Sequence, residues 1–315
     1  MGRARGANAK FAGVFESSYG TPPTASGNYL NFPFVSSDLG AEQGLLESDL
    51  LGNGRESFDP TYDVVTNDGD MVVPVDVRNF GYWLKLLLGA PVTTGIDPLY
   101  THNYGSGAAS LPSMSGELQF PDVPAYAMQY GLRANQLRIA MNRRGLLNAT
   151  ISIVGKGANA DKATSDAGVV TAALDVDRFQ QAKGEIQRAG ATLGSIVSAN
   201  IAFTNNLDKI ETIQPDGEIE DADGGTAMAS GDLVARYDSL TLANDSTNQT
   251  PVELIFKWTY GSDYLLELTV PRVFLPRVKK PISGPGGVQA TYNWQSSGEN
   301  EACFQAKLVN DVATY

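Results

Sequence analysis

Residues 263–295, DYLLELTVPRVFLPRVKKPISGPGGVQATYNWQ, decide the fold. One face of the first part of this stretch carries Tyr264, Leu266, Leu268 and Val270. Leu265, Glu267 and Thr269 alternate with them on the other face, and this period of two predicts a strand with one buried face. A second strand follows, with Val288, Ala290, Tyr292 and Trp294 on its apolar face. Its other face is polar throughout and carries Gln289, Thr291, Asn293 and Gln295.

Proline and glycine separate the two predicted strands. Pro271 and Pro276 lack the N–H group that a sheet requires, so we expect each of them at a sheet edge or a bulge. Residues 284–287, Gly-Pro-Gly-Gly, then turn the chain. The stretch is therefore predicted to form an antiparallel ribbon whose polar face meets water or another wet surface.

Composition restricts the classes of protein that remain. A chain of 315 residues has room for two domains, each with its own core. The single cysteine, Cys303, excludes a disulfide within the chain, and the single histidine, His102, excludes zinc motifs built from His and Cys pairs. The net charge of −12 argues against a protein that grips the phosphates of nucleic acid.

No segment of the sequence predicts a membrane span. The N-terminus is basic but lacks a following apolar segment, and the leucine-rich stretch at residues 84–88, which Lys85 interrupts, is too short to cross a bilayer. We therefore expect a soluble protein that is made in the cytoplasm.

The first half of the chain begins with residues 1–44, which are rich in Gly, Ser, Pro and Asn and predict an arm. A long loop or hairpin is expected next, with exposed leucines at Leu45, Leu46, Leu50 and Leu51. A strand begins at Met71, and the spacing of apolar residues over 80–88 predicts a helix with one apolar stripe. Further strands complete a first domain at 45–155, and the polar, aperiodic residues 156–175 predict a flexible linker.

The second half, at 176–315, repeats the order of elements in the first. The sequence SGDLVARYDSL at 230–240 matches DGDMVVPVDVR at 68–78, and each follows a long polar loop. No helical stripe comparable to that of 80–88 is predicted after residue 240. The pattern indicates a tandem duplication of one mostly β unit.

Motifs for catalysis or cofactor binding are weak. The Gly-rich residues 155–160 lack the apolar helix that a dinucleotide site needs, and the acidic residues 220–225 lack the glycine and the ligand spacing of a calcium loop. His102 is the one histidine that a Ser/His/Asp triad could recruit, and no acidic pair is marked out by an apolar pocket. We expect no enzyme activity, no cofactor and no metal.

The second half resembles the tail tube proteins of long, non-contractile bacteriophage tails. The resemblance rests on LGSIVSANIAFTNN at 193–206, Gly217–Ile219, SGDLVARYD, residues 270–295 and the C-terminal LVNDVATY. The first half is more loosely similar, through GDMVVPVDV, the following helix and strand, and LNATISIVGKG.

The resemblance implies β-sandwich or half-barrel units with a flanking helix, whose inner sheets join into a continuous barrel on oligomerisation. Stacked rings of this kind form a virion tail tube through which double-stranded DNA passes without specific binding. Six units per ring would be supplied by three chains with pseudo-sixfold symmetry, or by six chains that each use one half as wall and one as decoration. Expected partners are further copies of the chain, the tape measure protein, and the tail terminator and distal tail proteins.

The polar residues Gln289, Thr291, Asn293 and Gln295 are expected to face the channel, because a polar ribbon face suits a channel wall. The exposed Leu45, Leu46, Leu50 and Leu51 are expected to contact the next ring. Two other classes remain open from the sequence: a tail or capsid decoration protein or adhesin with two β-sandwiches, and a β-sandwich glycosidase with two positioned carboxylates.

Overall fold

The computed structural model describes residues 2–24, 28–282, 284–299 and 301–315. The protein is mainly β, which confirms the predicted class. The strands of the first half are β1 (Lys10–Phe15), β2 (Leu30–Phe32), β3 (Ser36–Ser37), β4 (Gly40–Leu46), β5 (Thr61–Pro74), β6 (Val92–Ile96), β7 (Leu99–Gly105), β8 (Met114–Phe120), β9 (Ala125–Asn142), β10 (Asn148–Gly155) and β11 (Gly157–Ala158). Those of the second half are β12 (Gly184–Arg188), β13 (Ala191–Thr192), β14 (Ile196–Thr204), β15 (Asp208–Ile210), β16 (Asp221–Asp223), β17 (Met228–Arg236), β18 (Val252–Tyr260), β19 (Tyr264–Phe274), β20 (Gln289–Ser296) and β21 (Gln305–Asn310).

The two halves repeat one arrangement of seven antiparallel strands. In the first half the strands pair in the order β4–β5–β10–β9–β8–β1–β2. In the second half the order is β14–β17–β20–β19–β18–β12–β13. Each order matches the other strand for strand, so β14 corresponds to β4, β17 to β5, β20 to β10 and β19 to β9.

Strand β9 belongs to two sheets. Its first part pairs with β8, and its second part pairs with β10. The bend between them lies at Gly131, which has a φ of 65°. A Cβ at this position would lie 2.5 Å from the Cβ of Lys156, so the strand can turn here only with glycine.

One short helix follows the equivalent strand in each half. Helix α1 (Phe80–Leu88) buries the predicted apolar stripe, and helix α2 (Thr241–Asn248) follows β17. No apolar stripe predicts a helix after residue 240, yet the structure has one there. Helix α2 has no apolar stripe because it buries Asp245 and Ser246 beside Leu242, and Asp245 forms an ion pair with Arg188.

Two further expectations from the sequence are corrected. Residues 1–44 are not a free arm, because β1 lies between β2 and β8 and its Phe11 is fully buried. The stretch at 263–295 does not form a simple ribbon, because β19 and β20 share only two residue pairs. Strand β19 pairs with β18 over most of its length and with β21 at residues 265–269 instead, and β20 pairs with β17. Pro271 lies at the bulge where β18 and β19 change register, as expected.

The residues between the halves pack on the first half. Glu117 is buried and accepts hydrogen bonds from the Ser165 hydroxyl and from the backbone N–H groups of Asp166 and Ala167. Ala167 itself is fully buried. Residues 165–167 are therefore fixed to the core, although the composition of 156–175 predicts a flexible linker.

Candidate functional site: a sheet shared by the two halves

The sheets of the two halves join directly. The second part of β9 pairs with β14, so that β4, β5, β10, β9, β14, β17 and β20 lie side by side in one sheet. The pairing runs over seven residue pairs, from Ser198 opposite Asn142 to Thr204 opposite Gln136. We call this pairing of β9 with β14 the seam.

Apolar residues on one face hold the seam. Ile139 lies opposite Ile201, and Leu137 lies opposite Phe203; all four side chains are buried. Directly opposed apolar side chains on neighbouring strands contribute about 0.2–1 kcal/mol per pair. The buried Asn205 closes the end of the seam, because its amide donates to the carbonyl oxygens of Leu87 at 2.8 Å and Ala134 at 3.0 Å.

The opposite face of the shared sheet is polar and accessible. On β20, the predicted residues Gln289, Thr291, Asn293 and Gln295 are exposed. Ala290, Tyr292 and Trp294 alternate with them and are buried.

Polar residues continue across this face on the neighbouring strands. Asn200 on β14 donates to the carboxylate of Asp232 on β17 at 2.8 Å. Beyond the seam, Arg138 donates to the hydroxyl of Ser152, which donates to the carboxylate of Asp70. The four predicted residues thus belong to a polar surface that extends over both halves.

Equivalent glycines let the strands of each half approach closely. Gly231 on β17 lies opposite Trp294, and a Cβ there would overlap the carbonyl oxygen of Asn200 on β14. Gly69 on β5 lies opposite Ile153, and a Cβ there would overlap the backbone of Leu39 just before β4. Backbone packing therefore requires the glycine of the Gly-Asp sequence that opens each repeat.

The predicted stacking residues lie at the end of the β4–β5 hairpin. Leu45 and Leu46 end β4 and are 59% and 51% exposed, and Leu50 and Leu51 follow in the connection to β5 with 66% and 96% exposure. The structure thus places all four at the end of one hairpin, whose strand β4 lies at the opposite edge of the shared sheet from β20. Ile213, in the connection between β15 and β16, is also fully exposed.

Ion pairs fix the loop at 205–227 against the first half. Arg133 on β9 forms an ion pair with Asp221 at 2.6 Å and donates to the carbonyl oxygen of Ala222. Lys209 forms an ion pair with Asp68 on β5, and the Tyr130 hydroxyl donates to Glu218. The loop that separates β14 from β17 therefore strengthens the contact between the halves.

A second charged cluster holds the C-terminal strand. The guanidinium of Arg78 contacts Asp177 at 2.6 Å and Asp311 at 2.7 Å. Hydrogen bonds from Arg78 hold the pKa of each of these carboxyl groups below its usual range. Asp311 follows β21, which pairs with β19 of the second half and with β7 of the first.

The side chain of the single histidine, His102, is held by hydrogen bonds within the fold. The Nε2–H of His102 donates to the carbonyl oxygen of Val312 at 2.8 Å, while Nδ1 accepts from the hydroxyl of Thr93 at 2.8 Å. Burial lowers the pKa of His102.

Among the described residues, no three His, Cys, Asp or Glu side chains come together as metal ligands, and no helix is long and apolar enough to span a membrane.

A family model described as phage tail tube protein matches residues 6–296, which is nearly the whole chain. The chain belongs to the phage tail tube protein family. No curated protein matches it. It is therefore a structural protein of the virion tail that assembles with itself into a tube, and the family is one of structural proteins rather than of enzymes.

The seam is the functional feature that sequence reasoning missed. Residues 136–142 and 198–204 both show alternating apolar positions, so each was recognisable as a strand. Nothing in either segment identifies the other as its partner, because pairing between distant strands depends on the assembled sheet. The duplication offers the one sequence signal for this pairing. It identifies β14 as the counterpart of β4, which is an edge strand of the first unit and is therefore available to pair with a neighbouring unit.

Proposed function

We propose that the chain forms rings of three copies that stack into the tube of a long, non-contractile tail and conduct the phage genome during ejection. The observation that carries this proposal is the seam between β9 and β14. It joins two units of the same strand order edge to edge, so the same contact between one chain and the next would continue the sheet. A sheet that closes on itself leaves no exposed strand edges.

Three chains per ring follow from the duplication. The resemblance to tail tubes implies six units around the channel, and each chain supplies two. Helix α2 occupies in the second half the position that α1 occupies in the first, which favours equivalent roles for both halves in the wall. A head-to-tail contact between identical chains produces a ring when its rotation closes.

The channel surface is proposed to be the polar face of the shared sheet. Gln289, Thr291, Asn293 and Gln295 are exposed on this face, and their apolar neighbours are buried in the core. The exposed side chains of β20 are uncharged and the whole protein has a net charge of −12, so the wall carries no excess of positive charge to hold the phosphates of DNA. This supports passage of double-stranded DNA without specific binding.

Stacking of rings is proposed to use the β4–β5 hairpin with its four exposed leucines. Large apolar side chains on an exposed hairpin are stabilised when a partner surface covers them. Contacts of the tube with the tape measure protein inside it, and with the tail terminator and distal tail proteins at its ends, are further proposals from the resemblance. Synthesis in the host cytoplasm is expected on the same basis.

A cryo-EM reconstruction of tubes assembled from the purified chain tests the proposal. Three chains that alternate their halves around the channel, with Asn293 on the inner surface, are expected. Six full-length chains per ring would refute the trimer, and a channel lined by the faces that carry Trp294 would refute the assignment of the lumen.

A further inference from the structure

The second half lacks a complete counterpart of the seam-forming part of β9. The corresponding strand, β19, ends before it reaches that part. In the first half, β9 continues past Leu132 and lies between β10 and β14. In the second half, β19 ends at Phe274, and residues 275–279 have no strand pairing in the described part of the chain. The edge of β20 that β19 would cover is consequently paired only at Gln295 and Ser296.

The repeated register identifies the residues that correspond. Asp70 pairs with Ser152, and its counterpart Asp232 pairs with Asn293. Residues 152 and 293 are therefore equivalent, and the same offset makes Val154 equivalent to Gln295.

The offset extends to the neighbouring strand. Val154 pairs with Arg133 on β9, while Gln295 pairs with Phe274 on β19, so Arg133 corresponds to Phe274. It follows that Gln136 corresponds to Arg277, and Leu137 to Val278. Burial agrees with this alignment, since Leu275 is buried as Ala134 is, and Val278 packs against the core as Leu137 does.

The other edge of the shared sheet is β4, the counterpart of β14. Within the described residues β4 pairs only with β5, so its outer edge is open. Gly40 pairs with Asp68, and its counterpart Ala202 pairs with Ser230. Thr204, which lies opposite Gln136 in the seam, therefore corresponds to Glu42.

We infer that residues 275–279 become a strand when two copies meet, and that this strand fills the gap between β20 of its own chain and β4 of the partner subunit. Copying the register of the seam places Arg277 opposite Glu42 of the partner subunit, Val278 opposite Ala41 of the partner subunit, and Lys279 opposite Gly40 of the partner subunit.

The chemistry of the two edges supports this register. Arg277 and Lys279 are exposed cations, and Glu42 is an exposed anion with the exposed Asp38 nearby on the same edge. An opposite-charge pair directly across two strands is favourable, whereas like charges would oppose the contact. Pro276 corresponds to Asn135, which lies at the bulge between β9 and β10, where a missing N–H is tolerated.

This inference rests on the proposed ring, and disulfide trapping tests the two separately. The parent is Cys303→Ala, because Cys303 is the single cysteine and is buried. Arg277→Cys is combined with Glu42→Cys in that parent. The two positions lie on opposite edges of the shared sheet, so a disulfide between them forms between chains.

The matched control combines Arg277→Cys with Gly44→Cys, which keeps the same face of the strand but moves the register by two residues. After oxidation of assembled tubes, a ladder of covalent species that ends at a trimer is expected on a non-reducing gel for the first pair. The control and each single cysteine should give monomer, and a reducing agent should abolish the ladder.

The outcomes separate the two claims. If the parent forms tubes but the Arg277→Cys and Glu42→Cys pair stays monomeric, or the Gly44→Cys control gives the ladder, the register is wrong and the proposed function stands. If the parent forms no tubes or rings, the proposed function fails. As a second test, Arg277→Glu should abolish assembly, and combining it with Glu42→Arg should restore assembly. Equal assembly by the unmodified chain, the Arg277→Glu variant and the double variant would overturn the charge pairing.

Discussion

Trp294 gives the most direct test of which face of the shared sheet is the core. Its side chain is 3% exposed and stacks on Phe256 with ring centroids 6.1 Å apart. It also packs against Gly231, where a Cβ would lie 2.6 Å from the Trp294 ring. Trp294→Ala should therefore lower the free energy of unfolding by about 3–5 kcal/mol, which is the usual cost of removing a buried aromatic side chain.

Trp294→Phe should cost clearly less than Trp294→Ala. Phenylalanine keeps a ring against Phe256, and the indole N–H that it removes has no hydrogen-bond partner in the described structure. The matched surface control is Asn293→Ala, which changes the next residue on the same strand but on the exposed face. That substitution should alter stability by no more than about 0.5 kcal/mol.

The assay is unfolding in urea of the unassembled subunit, monitored by tryptophan fluorescence and by circular dichroism. A shift of the midpoint without a change in slope reports a change in stability alone. A loss below about 1 kcal/mol for Trp294→Ala would contradict a well-packed core position. A loss for Asn293→Ala that equals the loss for Trp294→Ala would refute the division of β20 into a core face and a wet face.

The remaining predictions concern stacking and pH. Replacing residues 47–60 by an Asn-Gly turn should leave folded rings that do not stack, as judged by circular dichroism and negative-stain microscopy. Because Arg78 lowers the pKa of Asp177 and Asp311, the stabilisation is complete above about pH 4 and declines as the pH falls through the lowered values. Arg78→Gln should therefore lower Tm at neutral pH and flatten its decline on acidification. Burial lowers the pKa of His102, so stability should also decrease as the pH falls below about 6.5, and His102→Gln should remove that component of the Tm profile.

Local patterns predicted the elements whose structure depends on neighbours in the sequence. The alternation at 288–295 correctly predicted a strand with one polar and one buried face, since the period of two fixes the face of each side chain. The apolar spacing at 80–88 predicted α1 with its bounds. The resemblance to tail tube proteins is confirmed by the family match.

Elements that depend on distant contacts were not predicted. Helix α2 buries polar Asp245, which is held by Arg188 from β12, so hydrophobic spacing could not reveal it. Strand β1 was hidden in a Gly-rich and Ser-rich terminus because its pairing with β8 spans about one hundred residues. The seam has the same origin: two recognisable strands become neighbours only in the folded chain.

The duplication has a physical consequence for assembly of the proposed ring. In a ring of six separate units every seam joins two molecules, whereas here half of the seams form inside a chain when it folds. An exposed strand edge is a risk for uncontrolled pairing between molecules. Residues 275–279 carry cations and a proline and remain outside the sheet in the single chain, so one of the two joining edges is completed only when the partner subunit binds. Association should therefore depend on charge matching with β4 of the partner subunit, which implies that the rate of ring formation decreases as the salt concentration rises.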